Sequence, residues 1–371
     1  MTADGARVLV VNTGSSSVKL RLLDAADRVR FRADLPALTG PGGTQPLAEG
    51  VRAARDVDVV GHRVVHGGDR FRSSVVVDEA TEAALDSLSG LAPLHNPAAL
   101  AALRLARHEL DVPHVACFDT AFHAGLPAEA ATFAVPEEWR ARWGVRRYGF
   151  HGLSHAYAVR RAAELVGRPV ADLRIVSCHL GAGASLCAVA GGRSVDTTMG
   201  FTPLDGMVMA TRSGSVDPGA LLWLQRHAGL GWEEMEQALD LRSGLLGLSG
   251  VASSPRELYL AADSGHGGAA LALAVYLHRL CALVAAMASA ARGLDVVVFT
   301  GGVGENSTRL RAEAAQRLAW LGVEVDARSN EEATGDAVIS PDGRSPAVCV
   351  VTAREDLEIA AEARRLLAGP A

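Results

Sequence analysis

The sequence is almost without lysine. Of its 36 basic residues one is a lysine, Lys19, and thirty-five are arginines. A genome bias toward arginine codons accounts for the excess, but not for the place of the one survivor beside a glycine-serine turn. An excess of positive charge is also missing. The 36 basic and 42 acidic residues leave −6 with neutral histidines, which excludes a generally basic nucleic-acid binder. Cysteine is sparse: Cys117, Cys178, Cys187, Cys281 and Cys349 lie in or beside apolar stretches, with no CxxC spacing. That excludes a disulfide framework or a cysteine metal site and reads as buried free thiols in a reducing cytosol. The short polar stretch Met1–Arg7 is not expected to be a targeting segment. The longest apolar stretch, Gly267–Ala291, carries His278 and Arg279 at its middle, so a buried helix is expected and no membrane span.

What is present is enough apolar residue for more than one core. A chain of 371 residues that is 49% hydrophobic points to two domains. Arg7–Asn12 and Val18–Leu23 read as a hairpin around Thr13–Ser17, with a third strand over Val29–Leu35 and a loop over Leu38–Pro46. Val57–Val65 and His114–Phe118 read as strands, and the second delivers Asp119 to its end. Asp78–Leu88 and Pro97–Leu110 have helical spacing, with Asn96 and Pro97 as an N-cap and N1 pair. After Tyr148 the pattern begins again. A helix over His155–Val166 precedes strands at Arg174–His179, Ser185–Ala190 and Arg193–Thr197. Helices are expected at Pro218–His227, Trp232–Leu239, Pro255–Ala262, Gly267–Arg292, Ser307–Trp320 and Glu355–Leu367. Strands are expected at Asp295–Thr300, Val323–Val325 and Ala347–Val351. Leu9–Leu20 and Ile175–Cys187 both hold strand, small-residue turn, strand, which suggests duplication of one α/β unit.

Three segments join strands to tight turns whose amides could face an anion. They are Asn12–Lys19, His179-Leu180-Gly181-Ala182-Gly183, and Thr300-Gly301-Gly302-Val303-Gly304-Glu305-Asn306. The third also opens a helix, whose N-terminus favours negative charge. None has the spacing GxxxxGK[ST] or GxGxxG, and a glycine turn alone usually just connects strands. Three together, with the sole lysine in the first, favour a nucleotide polyphosphate clamped between two domains.

Several longer segments are chemically unusual: Gly61–Gly68 (GHRVVHGG), Pro93–Pro97 (PLHNP), Phe118–His123 (FDTAFH), Tyr148–His155 (YGFHGLSH), Met199–Pro218 and Phe299–Ser307. With the first two turns they cover nearly the whole chain, which resembles the acetate kinases. These are short-chain carboxylate kinases of the superfamily of acetate and sugar kinases, Hsp70 and actin. The resemblance implies an α/β fold of duplicated ribonuclease-H-like, actin-like ATPase domains with a central interdomain cleft. The expected division is residues 1–120 with 357–371, closed by the C-terminal helix, and 121–356, which carries most of the nucleotide site. It further implies reversible phosphoryl transfer from ATP to acetate, giving acetyl phosphate and ADP, with Mg²⁺ (or Mn²⁺ in its place). A cytoplasmic homodimer is expected, with a short-chain carboxylate and ATP as partners and neither nucleic acid nor membrane.

Such a transfer gathers several negative charges, so it is mostly positioning and charge neutralisation by metal, guanidinium and amide donors. By resemblance, Arg63 and Arg212 hold the acyl substrate and the transferring group, and a guanidinium fork suits both. His151 matches a histidine that stabilises the transition state, and His95 a second active-site histidine. A lone histidine is more often structural. Asp119 matches an essential aspartate that orients or deprotonates the acceptor or helps hold magnesium; alone it could equally be an N-cap. Asn12 and Glu355 match the residues that place Mg²⁺ through water. Val65, Leu94, Phe150 and Pro203 match the acyl pocket, and ordinary core is their other reading. Lys19, His179 to Gly183, Ser254, Pro255, Arg256 and Gly302 to Asn306 match nucleotide positions.

The chain also departs from the pattern. His-Leu-Gly-Asn-Gly becomes His179 to Gly183 with Ala182, Ser-Ser-Asp-x-Arg becomes Ser253-Ser254-Pro255-Arg256, and Arg-Ser-Gly-Asp becomes Arg212-Ser213-Gly214-Ser215. An Asn-Glu-Glu sequence becomes Arg354-Glu355-Asp356. The first two changes touch the nucleotide side. Propionate or butyrate as acceptor, a different phosphoryl donor, and a non-kinase nucleotide switch remain the alternatives.

Overall fold

The structure, a computed structural model, describes residues 5–14, 17–38, 43–93 and 95–369. The chain forms two compact units. The first comprises Met1–Ala124, Phe150–Tyr157 and Arg354–Ala371, and the second Gly125–Gly149 and Ala158–Ala353. The sequence division set 1–120 with 357–371 apart from 121–356; here residues 121–124, 150–157 and 354–356 also fall in the first unit.

The first unit is built on β1 (Val8–Thr13), β2 (Ser17–Leu23), β3 (Val29–Pro36), β4 (Val59–Val64), β5 (Val75–Val76) and β6 (His114–Phe118). They form one sheet in the order β3-β2-β1-β4-β6-β5. The parallel strands β1, β4 and β6 are near-continuous buried runs, as strands covered on both faces must be. In β2, Val18, Leu20 and Leu22 turn inward while Lys19 is exposed, the period-two pattern of a strand. Helices α1 (Gln45–Ala53), α2 (Glu79–Ser87) and α3 (Asn96–Glu109) belong to this unit. Asp78 caps α2 by accepting from Thr81 N at 2.7 Å.

The second unit repeats the plan with β7 (Arg174–Leu180), β8 (Ala184–Ala190), β9 (Arg193–Thr197), β10 (Val296–Thr300), β11 (Ala337–Val338) and β12 (Ala347–Val350), in the order β11-β12-β10-β7-β8-β9. Read in reverse, this order matches the first sheet strand for strand. In both, an antiparallel three-strand meander joins two further parallel strands and a short antiparallel edge. The suspected duplication is therefore a property of the fold. Helices α4 (Ala128–Ala131), α5 (Glu137–Trp143), α7 (Pro218–His227), α8 (Trp232–Leu241), α9 (Gly244–Ser249), α10 (Pro255–Asp263), α11 (Gly267–Ala290), α12 (Gly301–Asn306), α13 (Thr308–Arg317) and α14 (Ala327–Glu332) accompany this sheet. α6 (Gly152–Leu165) begins in the first unit, and α15 (Glu355–Leu367) returns the chain to it. α11 is long and apolar enough to cross a membrane, but Leu273, Tyr276, Leu277 and Leu280 are buried, and the helix packs on β7, β8 and β9.

Some expectations fail for local reasons. Asn96 is not the cap of α3. His95 takes that position, and the Asn96 side chain bridges the main chain of His66, accepting from its N at 3.1 Å and donating to its O at 3.0 Å. Val323–Val325 is irregular; β12 pairs with β11 instead, beyond α14. Gly301–Gly304 is the body of α12, not a turn before a helix. The expected loop Leu38–Pro46 ends earlier, because Gln45 and Pro46 open α1; residues 39–42 lie outside the described residues. All five cysteines are buried and free.

Candidate active site

The C-terminal ends of β1, β4 and β6 bring the charged residues of the first unit together. Arg63, near the end of β4, donates from Nε to Asp119 Oδ1 at 3.0 Å and from Nη2 to Oδ2 at 2.6 Å. Its Nη1 reaches Asn12 Oδ1 on β1 at 3.4 Å. Asn12 Nδ2 donates to Glu355 Oε2 at 2.8 Å, at the start of α15. Glu355 stands 3.9 Å from Arg63 Nε. Burial opposes the Arg63 charge, but Asp119 and Glu355 outweigh it and hold the guanidinium pKa above its ordinary value. Asp119 is 1% exposed, and burial pushes its carboxyl up against the pull of Arg63. Among the described residues no group of three or more His, Cys, Asp or Glu is placed to hold a metal by itself. The amide oxygen of Asn12 and the carboxylates of Glu355 and Asp119 are nonetheless hard oxygen donors of the kind Mg²⁺ takes, with water and phosphate completing its shell.

The segment after Tyr148 closes on this cluster. The main chain of His151 is left-handed, with φ +55, sparsely populated by non-glycine residues and found where surrounding structure imposes it. Its N–H bonds to Asp119, and the N of Gly152 donates to Asp119 O at 2.9 Å. A Cβ on Gly152 would lie 2.1 Å from that oxygen, so the approach requires glycine. Val65 and Phe150 are buried in the same unit, and Phe150 meets His66 edge-on. His95 is half-buried at the start of α3. Leu94 lies outside the described residues. Lys19 pairs across the hairpin with Asn12, so it belongs to the charged unit and not to the one holding the other two glycine segments.

In the second unit the strand ends carry backbone instead of charge. Gly181, Ala182, Ser254, Pro255 and Arg256 line a cavity of about 540 Å³, with Gly302, Val303 and Asn306 of α12. Gly301 opens α12 at φ +77, and its Cβ would meet Leu180 O at 2.7 Å. His179, Leu180, Gly183, Gly304 and Glu305 are not among the lining residues; Leu180 and Gly304 are buried behind them. Glu305 Oε1 accepts from Ala353 N at 2.9 Å. Sequence reasoning missed Tyr259, Leu260, Ser307, Thr308 and Arg309 in the wall. Tyr259 and Arg309 stack at 4.3 Å and meet on Glu313, an aromatic and a cation that carry no local signal in the sequence.

Arg212 is also in this unit, and it differs from Arg63. It donates to Pro203 O at 3.2 Å and to Met209 Sδ at 3.8 Å, and its nearest carboxylate, Asp240, is 3.8 Å away. Burial lowers its pKa, with Asp240 opposing. Among the described residues only its Nη1 has hydrogen-bond acceptors.

The model of the acetokinase family matches residues 46–361. The chain is 46% identical to an acetate kinase of Deinococcus radiodurans, over 97% of this chain and 98% of that protein. It is 45% identical to an acetate kinase of Deinococcus deserti, over 97% and 98%. Among solved structures it is similar to the acetate kinase of Porphyromonas gingivalis, with TM-score 0.90 and 36% identity over 98% of this chain and 100% of that one. It is also similar to a propionate kinase of Francisella tularensis, with TM-score 0.88 and 32% identity over 97% and 99%. Two mixed sheets of one topology, each flanked by helices, are the duplicated actin-like ATPase fold of those structures. The chain belongs to the acetokinase family.

Proposed function

We propose that the protein is an acetate kinase, transferring the γ-phosphoryl group of ATP reversibly to acetate. The observation that carries this reading is the family match over residues 46–361, with Asn12, Arg63, Asp119 and Glu355 assembled at the strand ends of one unit. An acetate oxygen attacks the γ-phosphorus, the bond to the β-phosphate oxygen breaks, and its electron pair leaves with ADP. Acetate is already ionised near pH 7, so no proton has to be removed. Asp119 therefore serves as the orienter of Arg63 and as an oxygen donor, not as a base. Its burial and its two bonds to Arg63 also argue against attack by Asp119 itself and favour direct in-line transfer. Arg212, with donors to spare, and His151 take the charge of the transferring group, and His95 supports them. The buried Val65 and Phe150 form an apolar wall for the methyl group.

The cavity of the second unit takes the nucleotide, and Lys19 adds a point charge for phosphate. Asn12 and Glu355 would hold Mg²⁺, with Asp119 beside them, and the ion supplies charge neutralisation on the phosphate oxygens. Five buried free thiols fit a reducing cytoplasm, and the exposed Leu222, Trp223, Trp232 and Leu241 on α7 and α8 suit a homodimer contact.

A hydroxamate assay for acyl phosphate tests the reading, run with ATP and Mg²⁺ across acetate, propionate and butyrate. Acetate giving the highest kcat/KM is expected. No acyl phosphate with any acid would overturn the kinase, and a preference for propionate would replace the acceptor.

A further inference from the structure

One charged side chain in the second unit is bonded to carbonyl and amide oxygens and, among the described residues, to no carboxylate. Arg311, on α13, is fully buried, and among the described residues it makes no ion pair. A buried charge without a counter-charge persists where its donors are hydrogen-bonded. Four of the five N–H groups of Arg311 are: Nη1 donates to Gly304 O at 2.9 Å and Glu305 O at 2.6 Å, Nε to Asn330 Oδ1 at 2.7 Å, and Nη2 to Asn330 O at 2.9 Å. Asn330 completes the clasp by donating from Nδ2 to Thr308 O at 2.9 Å.

The carbonyls that Arg311 takes are the rear end of α12. A six-residue helix leaves most of its C-terminal carbonyls without a helical partner. Here Val303 O accepts from Ser307 N, Gly302 O from the Asn306 side chain, and Gly304 and Glu305 from Arg311. A cation at that end also complements the helix dipole. The front of α12 is the cavity wall at Gly302 and Val303. With three glycines in six residues, α12 has little intrinsic stiffness to keep its front in place.

We infer that Arg311, locked by Asn330, is a positioning residue for nucleotide: it holds α12 from behind so that Gly302 and Val303 keep their place in the cavity wall. The inference rests on the reading of that cavity as the nucleotide site. The Arg311 backbone N donates to Ser307 O at 3.1 Å, but among the described residues its guanidinium makes no hydrogen bond to a lining residue, so the side chain acts through the α12 backbone.

Arg311→Lys keeps the charge but cannot span two carbonyls and Asn330 at once. ADP titration by calorimetry, with KM values for ATP and acetate, is the test. ADP affinity is expected to fall about tenfold and KM for ATP to rise with it, while KM for acetate stays within twofold. Asn330→Asp, which loses the donor to Thr308 O, is expected to weaken ADP about threefold, and it serves if the lysine variant does not fold. Folded variants with unchanged ADP affinity overturn the inference alone. So does an equal rise in both KM values, which marks a merely structural residue. Wild-type chain that binds no ADP overturns the nucleotide reading and the inference with it.

Discussion

The two units share one sheet topology and use its strand ends in opposite ways. In the first, β4 and β6 end in Arg63 and Asp119, which grip each other, Asn12 and Glu355. In the second, the corresponding β10 and β12 end in Thr300-Gly301 and Val350-Val351, and β10 passes straight into α12. Charge is thus concentrated in one copy and bare backbone in the other. The C-terminal edge of parallel strands is a general place for a site, so duplication gave two such edges. Divergence made one a charged cluster that supports itself and the other a neutral wall. The arginines follow the same division: Arg63 grips a carboxylate with two donors, whereas among the described residues Arg212 bonds a carbonyl and a thioether and stands 3.8 Å from Asp240.

That contrast separates two ways of losing activity. Arg212→Ala and His151→Ala are expected to lower kcat by about 10²–10³, the usual cost of one transition-state donor, with melting temperatures near wild type. Arg63→Ala should fail differently, because it removes the bidentate partner of the buried Asp119, at about 3–5 kcal/mol of stability. Thermal melts beside kcat for all three decide it. An Arg63→Ala protein as stable as wild type would break the claim that the charges of the first unit hold one another. Wild-type turnover in the Arg212 or His151 variant would remove that residue from the mechanism.

Glycines sharpen the comparison at the next level. A Cβ on Gly152 would fall 2.1 Å from Asp119 O and 2.9 Å from Phe122 Cβ, whereas one on Gly302 would meet nothing within 4 Å. Gly152→Ala is therefore expected to lower both melting temperature and kcat by pushing the His151 turn off Asp119. Gly302→Ala should leave the melting temperature at or slightly above wild type, since alanine is the better helix former. Equal melts for the two would show that the charged cluster tolerates displacement.

A pH effect should also belong to the first unit. His62 on β4 and His114 on β6 are buried, stacked and hydrogen-bonded at 2.9 Å. Burial lowers the pKa of both, and His114 and Arg107 add to the lowering at His62. The folded protein keeps them neutral, while the unfolded chain takes up protons below about pH 6.5. Their contribution is complete above that pH and is lost as pH falls, at up to about 1.4 kcal/mol per histidine per pH unit. Denaturant melts at pH 7.5 and 5.5 should show the loss, with a shallower slope in His62→Gln. Equal slopes would exonerate the pair.

Strands and long helices were legible because their periodicity is local. β7, β9 and α15 begin where the alternation and spacing put them, and the cysteines are buried as their flanks implied. The repeated hairpin of Leu9–Leu20 and Ile175–Cys187 was already the trace of the duplicated sheet. What was not legible is set by distant partners. Asn96 looks like a cap in sequence, but the main chain of His66, thirty residues away, takes its side chain. Arg311 is one arginine among thirty-five, and its value comes from Asn330 on another helix. Of the candidate nucleotide residues, Ser254 to Arg256 and part of each glycine segment of the second unit reached the cavity wall, whereas Tyr259 and Arg309 came from helix faces that only packing defines.

Lys19 gives the smallest expected effect and the closest test of the boundary between the units' roles. It is exposed on β2, in register with Asn12 of the charged cluster, although its proposed ligand is phosphate. An ammonium is a compact point charge that rotates to follow a phosphate oxygen, whereas a guanidinium delivers a flat fork that needs a matching face. In a chain that uses arginine at every other basic position, Lys19→Arg changes this geometry without changing charge. An exposed site screens much of any charge effect, so a rise of about threefold in KM for ATP is expected, with KM for acetate and the melting temperature unchanged. A rise in KM for acetate instead would assign Lys19 to the acyl side with its neighbour Asn12. No change in either would leave the lone lysine as residue composition and confine nucleotide recognition to the second unit.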